Sequence, residues 1–201
     1  MRTPTDVSEV LERIVAAHLA LVADLRSRDL DPGATTRLPG WSVGHLLTHL
    51  ARNADSVVRR LDASAAGVVV SQYPGGAEGR AAEIEAGRHR SYPELVDDVE
   101  ASGAAIAVSA SRLSPDAWSF ETQPVSGPPQ SALTVLHRRL REVVLHHTDL
   151  DIGFTPAAWP PVVVDELLAE VLAGVAGRAD RSALAGWLVD RGPAPVLAPW
   201  G

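Results

Sequence analysis

Apolar residues recur at intervals of three and four along four stretches of the chain, the spacing that lines one face of an α-helix. The first stretch runs from about Val7 to Leu25, through Val10, Leu11, Ile14, His18, Leu21 and Val22. The second follows the turn LPGW, where Ser42 is placed to cap a helix carrying Val43, Leu46, Leu47, Leu50, Ala54, Val57 and Leu61. A third opens at Ser91-Tyr92-Pro93-Glu94, a capping box with proline in the first turn, and continues through Leu95, Val99 and Ile106 towards Leu113. The fourth covers Ser131 to Leu150, with Leu133, Leu136, Leu140, Val143, Val144 and Leu150 as its apolar positions.

Two long connections separate these stretches. Residues 63–90 are rich in Gly and Ala and contain Tyr73-Pro74-Gly75-Gly76 ahead of a short polar segment with helical potential. Residues 114–130 contain Pro115, Pro124, Gly127, Pro128 and Pro129, which exclude a continuous helix. The pattern predicts an all-α fold: a four-helix bundle with long crossovers over residues 1–158. A short C-terminal helical extension follows over 159–201, with one helix from about Val162 to Ala176 and another near Ser182 to Val189. The ending RGPAPVLAPWG reads as extended chain.

Composition narrows the chemistry. The 201 residues are 46% hydrophobic and 21% charged, the balance of a soluble globular protein. No apolar run is long enough to span a membrane, and the amino-terminal residues lack the apolar core of a secretory signal, so a cytoplasmic protein is expected. A net charge of −7 without a basic block argues against nucleic-acid binding. Cysteine is absent, so the chain supplies no thiol nucleophile, disulfide or thiolate metal ligand. A metal would have to be held by histidine and carboxylate, and thiol chemistry would need an external thiol. The pattern leaves the oligomeric state open.

Glu142 and His146 lie four apart on the fourth helix, and His45 and His49 four apart on the second. Each pair therefore projects from one helix face. A divalent ion between the two helices fits this arrangement, and three imidazole and carboxylate ligands suit zinc while leaving a position open. The same Glu-x-x-x-His spacing also describes an i,i+4 surface ion pair worth a few tenths of a kcal/mol. Of the other histidines, His18 lies on an apolar stripe as a hydrogen-bonded core residue, and His89 and His137 read as solvated.

The segments LPGWSVGHLLTHLARNAD (38–55) and LREVVLHHTDLDIGF (140–154) resemble the two signatures of the mycothiol-dependent maleylpyruvate isomerase family, within the DinB-like metal-binding superfamily. Weaker similarity extends through GRAAEIEAG and the WLVDRG…LAPW ending. The resemblance implies a DinB-like four-helix bundle and places the metal ligands on His49, Glu142 and His146. His45 then reads as a residue that orients His49, contacts cofactor or packs in the core. His147 is turned away by about 100° and reads as a supporting or packing residue. Asp149 either bonds a ligand histidine or is a solvated carboxylate at the helix end, with the solvated reading preferred.

Arg80 corresponds to an arginine that binds the acidic substrate, its planar fork matching a carboxylate. A further substrate arginine is expected in the C-terminal lobe, where Arg181 and Arg191 are the nearest positions. That lobe is short here, a departure that bears on substrate choice. The implied reaction is zinc- and mycothiol-dependent cis–trans isomerisation of a small molecule. A thiolate adds to the cis double bond, the resulting enolate is stabilised near Arg80, and the thiolate leaves after rotation. Alternatives are a mycothiol S-transferase using the same site and a non-catalytic DinB-like ligand-binding module.

Overall fold

The computed structural model describes residues 4–198, and the chain forms two compact units, Met1–Pro156 and Ala157–Gly201. The end of the proline-rich tail, residues 199–201, lies outside the described residues. In the first unit the four amphipathic stretches are helices: α1 (Pro4–Arg26), α2 (Val43–Ala65), α4 (Tyr92–Ala110) and α5 (Ala132–Asp149). The polar segment in the long second connection is also a helix, α3 (Gly76–Gly87). Gly75 and Gly76, both at positive φ, provide the left-handed turn that launches it.

The ends of these helices follow local chemistry. Ser42 caps α2 in a reciprocal box whose third residue is His45 rather than an acid: the Ser42 backbone N–H donates to His45 Nδ1 at 3.0 Å. Ser91 and Glu94 form the expected box at α4, with Pro93 in the first turn. The third stretch stops at Ala110, short of Leu113. Residues 114–131 hold a short 3-10 turn and a two-stranded antiparallel ribbon, β1 (Glu121–Thr122) with β2 (Gln130–Ser131), in which Thr122 faces Gln130.

Helix α2 packs on α3, α4 and α5, and α1 closes the bundle against α4 and α5. The core is the predicted set of stripes: Val10, Ile14, Leu21 and Leu25 of α1 meet Leu46, Leu47, Leu50 and Leu61 of α2, Leu95, Val99 and Ile106 of α4, and Leu136, Leu140 and Val143 of α5. His18 is buried in the α1 stripe with Nε2 against the Glu100 carbonyl at 3.2 Å. Its ring occupies the space that a Cβ on Gly103 would need. Polar ties fix the register of the bundle. Tyr92 donates to the Leu25 carbonyl at 2.8 Å, and His147 Nε2 meets Asp24 Oδ2 at 2.9 Å.

The second unit contains α6 (Pro161–Gly174) and α7 (Arg181–Leu188), the latter capped by Asp180. Its extended ending is tied back internally: the Arg178 guanidinium donates to the Ala198 carbonyl at 3.0 and 2.8 Å. Among the described residues, no helix is long and apolar enough to cross a membrane.

Candidate metal centre and the cavity beside it

His49 projects from α2 towards α5, where Glu142 and His146 share a face one turn apart. His49 Nε2 lies 3.0 Å from Glu142 Oε2, and His146 Nε2 lies 3.4 Å from the same oxygen. One ligand atom from each residue falls within 4.8 Å of the other two. Donors held roughly 2.0–2.2 Å from one tetrahedral ion would stand about 3.3–3.5 Å apart, so little movement is needed to close them on a metal. Two imidazoles and a carboxylate form a donor set that fits zinc, and three protein ligands leave a fourth position for substrate or thiol.

Hydrogen bonds orient each member of the triad. Asp149 Oδ2 accepts from His146 Nδ1 at 2.8 Å, which presents Nε2 to Glu142. The solvated reading of Asp149 is therefore corrected: one turn of helix places its carboxylate beside His146 instead of in water. Arg80 Nη2 donates to His49 Nδ1 at 3.2 Å, which assigns the ring proton to Nε2, facing Glu142. The Trp41 ring meets His49 edge-on at 5.4 Å.

Burial and pairing set the charges. Burial holds His49 neutral, its pKa lowered to about 4. For His146 burial acts in the same direction, but the bonds to Asp149 and Glu142 outweigh it and raise the pKa to about 9. Burial opposes ionisation of Glu142, yet the hydrogen bonds from His146 and His49 hold its pKa well below the ordinary carboxylate value.

Arg80 belongs to α3, and its guanidinium lies over Trp41 at 5.8 Å and Tyr73 at 5.9 Å. His45 does not touch His49 in these contacts. It caps α2 through Nδ1, meets Glu85 Oε2 at 3.3 Å and stacks on Trp41. His147 faces away from the triad, stacked on Phe154 at 4.0 Å. His89 is exposed as expected, whereas His137 is half-buried, because its position on α5 is only partly turned to water. Arg181 and Arg191 both belong to the second unit, where Arg191 donates to the Val189 and Asp190 carbonyls.

A cavity of about 220 Å³ opens beside His49 and Glu142. It runs between α2 and α5 and is covered by Tyr73 and by residues 124–126 next to the β-ribbon. The ribbon is pinned there by Gln72, whose N–H donates to the Gln123 carbonyl and whose Oε1 accepts from the Val125 N–H. Two lining residues, Arg60 and Arg139, escaped the sequence reading although they interrupt apolar stripes. Arg60 falls three residues after Val57, and Arg139 three after Leu136. A charge in register with a buried face is the signal that could have marked them.

Residues 11–151 match the family described as the mycothiol maleylpyruvate isomerase N-terminal domain. No curated protein sequence matches the chain. Among solved structures, the fold superposes on the crystal structure of a mycothiol-dependent maleylpyruvate isomerase with a TM-score of 0.77 and 29% identity, covering 85% of this chain and 72% of that one. A histidine-to-alanine mutant of such an enzyme matches over the same shares with a TM-score of 0.77 and 28% identity. With His49, Glu142 and His146 inside the matched segment, the chain belongs to the mycothiol maleylpyruvate isomerase N-terminal domain family.

Proposed function

We propose that the protein is a zinc- and mycothiol-dependent cis–trans isomerase of the maleylpyruvate type. In this reading residues 1–158 carry the metal and residues 159–201 form an appended helical extension. The observation that carries the proposal is the convergence of His49, Glu142 and His146 beside a cavity on which Arg80 also borders. Bound zinc would act as a Lewis acid that favours the thiolate form of an external thiol at neutral pH. The chain has no cysteine, which agrees with an external source of sulfur.

The chain's own residues then have distinct tasks. With His49, Glu142 and His146 holding an ion, Arg80, which contacts His49 and borders the cavity, would be placed to stabilise the negative charge that develops on the substrate's carbonyl oxygen. Asp149 accepts from His146 Nδ1 and so holds the ring with Nε2 towards Glu142, the orientation in which a deprotonated Nε2 would serve as a ligand. Trp41 and Tyr73 wall the site with aromatic surface.

The test begins with metal analysis. Purified protein should hold about one zinc per chain, and His49→Ala should lose it. Absorbance assays of maleylpyruvate should then show turnover that depends on mycothiol. Turnover without thiol, or no zinc uptake at all, would overturn the reading. Thiol-dependent consumption of other electrophiles, with maleylpyruvate untouched, would reassign the site to a thiol S-transferase.

A further inference from the structure

Asn53 is the only asparagine in the chain, and it sits one turn beyond His49 on α2. The four-residue offset keeps it on the helix face of His49, about 6 Å further along the axis. Its side chain is 5% exposed and lines the cavity beside the triad. A second bridge between α2 and α5 ends on it. His49 meets Glu142, and one turn away Asn53 Oδ1 accepts from Arg139 Nη1 at 2.8 Å.

That bridge fixes which way the amide faces. A guanidinium has only N–H donors, so the amide atom turned to Arg139 is the oxygen, and the NH2 group is turned away. Burial lowers the Arg139 pKa to about 10, which leaves the side chain protonated and donor-only at neutral pH. Arg139 itself is out of a ligand's reach: its Nε and Nη2 are sealed in the core without partners. Its Nη1 is spent on Asn53 and on the Leu50 carbonyl at 2.9 Å. An apolar side chain would cost less to bury than this cation, so its hold on Asn53 calls for a use. Among the described residues the Asn53 NH2 group has no hydrogen-bonded partner, and unlike those Arg139 nitrogens it keeps open surface.

We propose that Asn53 is a catalytic hydrogen-bond donor: its Nδ2–H group, aimed into the cavity by Arg139, binds the substrate's carbonyl oxygen and stabilises the enolate formed there. Arg139 is the positioning residue. The identity of the acceptor rests on the proposed function. As the external thiolate forms its C–S bond, the π pair of the double bond shifts through conjugation onto the carbonyl oxygen. Asn53 donates a hydrogen bond to that oxygen and transfers no proton. After rotation the pair returns, the double bond re-forms and the thiolate leaves with the electrons of the broken C–S bond. An offset of about 6 Å from His49 spans the few covalent bonds that separate the attacked carbon from the oxygen. The charge of Arg139 polarises the amide through Oδ1 and makes Nδ2–H a stronger donor.

Asn53→Asp separates this role from a structural one. Aspartate still accepts from Arg139, now with its own charge, but has no N–H to offer. The variant should keep its melting temperature and zinc content while kcat falls about 10²- to 10³-fold, more than KM rises. Arg139→Met should lower kcat at unchanged zinc content, and Arg139→Lys, which keeps a donor for Oδ1, should restore part of it. If the variants do not fold, the wild-type protein decides. Because asparagine occurs once, labelling its side chain with ¹⁵N yields a single NH2 pair, which maleylpyruvate should shift when added to zinc-loaded protein without thiol. An unshifted pair, a rise in KM alone, or wild-type kcat in Asn53→Asp would overturn the donor, and wild-type kcat in Arg139→Met would overturn its positioning. A shifted pair in a protein without thiol-dependent turnover would retain the donor and lose the proposed isomerase.

Discussion

At the residue scale, the triad depends on groups that never touch the ion position. Asp149 accepts from His146 at 2.8 Å and decides which ring nitrogen faces Glu142. Asp149→Asn should reduce zinc affinity by about 10- to 100-fold, measured by competition with a chromogenic chelator. The protein should keep its fold, because Asp149 lies at the last turn of α5 and outside the apolar core. In the proposed mechanism Arg80 acts on charge rather than on metal. Arg80→Ala should lower kcat by roughly 10²- to 10³-fold with zinc content unchanged, read from steady-state kinetics beside metal analysis.

At the scale of elements, α2 and α5 have to present their polar faces to each other while their apolar stripes bury themselves. The ring of His18 makes a similar demand where α1 meets α4, since it fills the space above Gly103. Gly103→Ala forces that ring or the helix to move and should destabilise the protein by about 1–3 kcal/mol in urea denaturation, despite the higher helix propensity of alanine. A neutral or stabilising effect would mean that α1 and α4 can separate more easily than their packing implies. Helix α3 illustrates the limits of local pattern. Its hydrophobic signal is weak, with Ile84 as its buried residue, so propensity alone does not announce it. Packing against α2 stabilises it, and that packing turns Arg80 into the site.

At the scale of the whole molecule, the triad makes metal-free stability depend on pH in two directions. The pKa of His49 falls from 6.5 to about 4 on folding, so between those values the unfolded chain binds more protons and stability rises with pH. Glu142 acts in the same sense, its contribution present above 4.5 and lost as pH falls. His146 does the opposite: its contribution is complete below pH 6.5 and is lost as pH rises to about 9. The melting temperature of EDTA-treated protein should therefore peak near pH 6.5. Zinc replaces the proton on His146, so loading should remove the alkaline decline, adding about 2.7 kcal/mol at 100 times Kd. A metal-free profile that keeps rising to pH 9 would contradict the His146–Asp149–Glu142 arrangement.

The sequence by itself determined the four bundle helices and their buried faces, because apolar spacing and capping residues such as Ser42 and Ser91 act over a few residues. It also brought Glu142 and His146 onto one face, since that juxtaposition is a property of a single helix. Joining them to His49, across 93 positions, required the resemblance of the two signature segments, because no local rule connects separate helices. Tertiary structure alone decided the rest. It made His45 a cap, brought Asp149 to His146 and Arg80 to His49, and buried Arg60 and Arg139 beside a cavity. Each of these depends on where another part of the chain comes to lie, and on how much room it leaves.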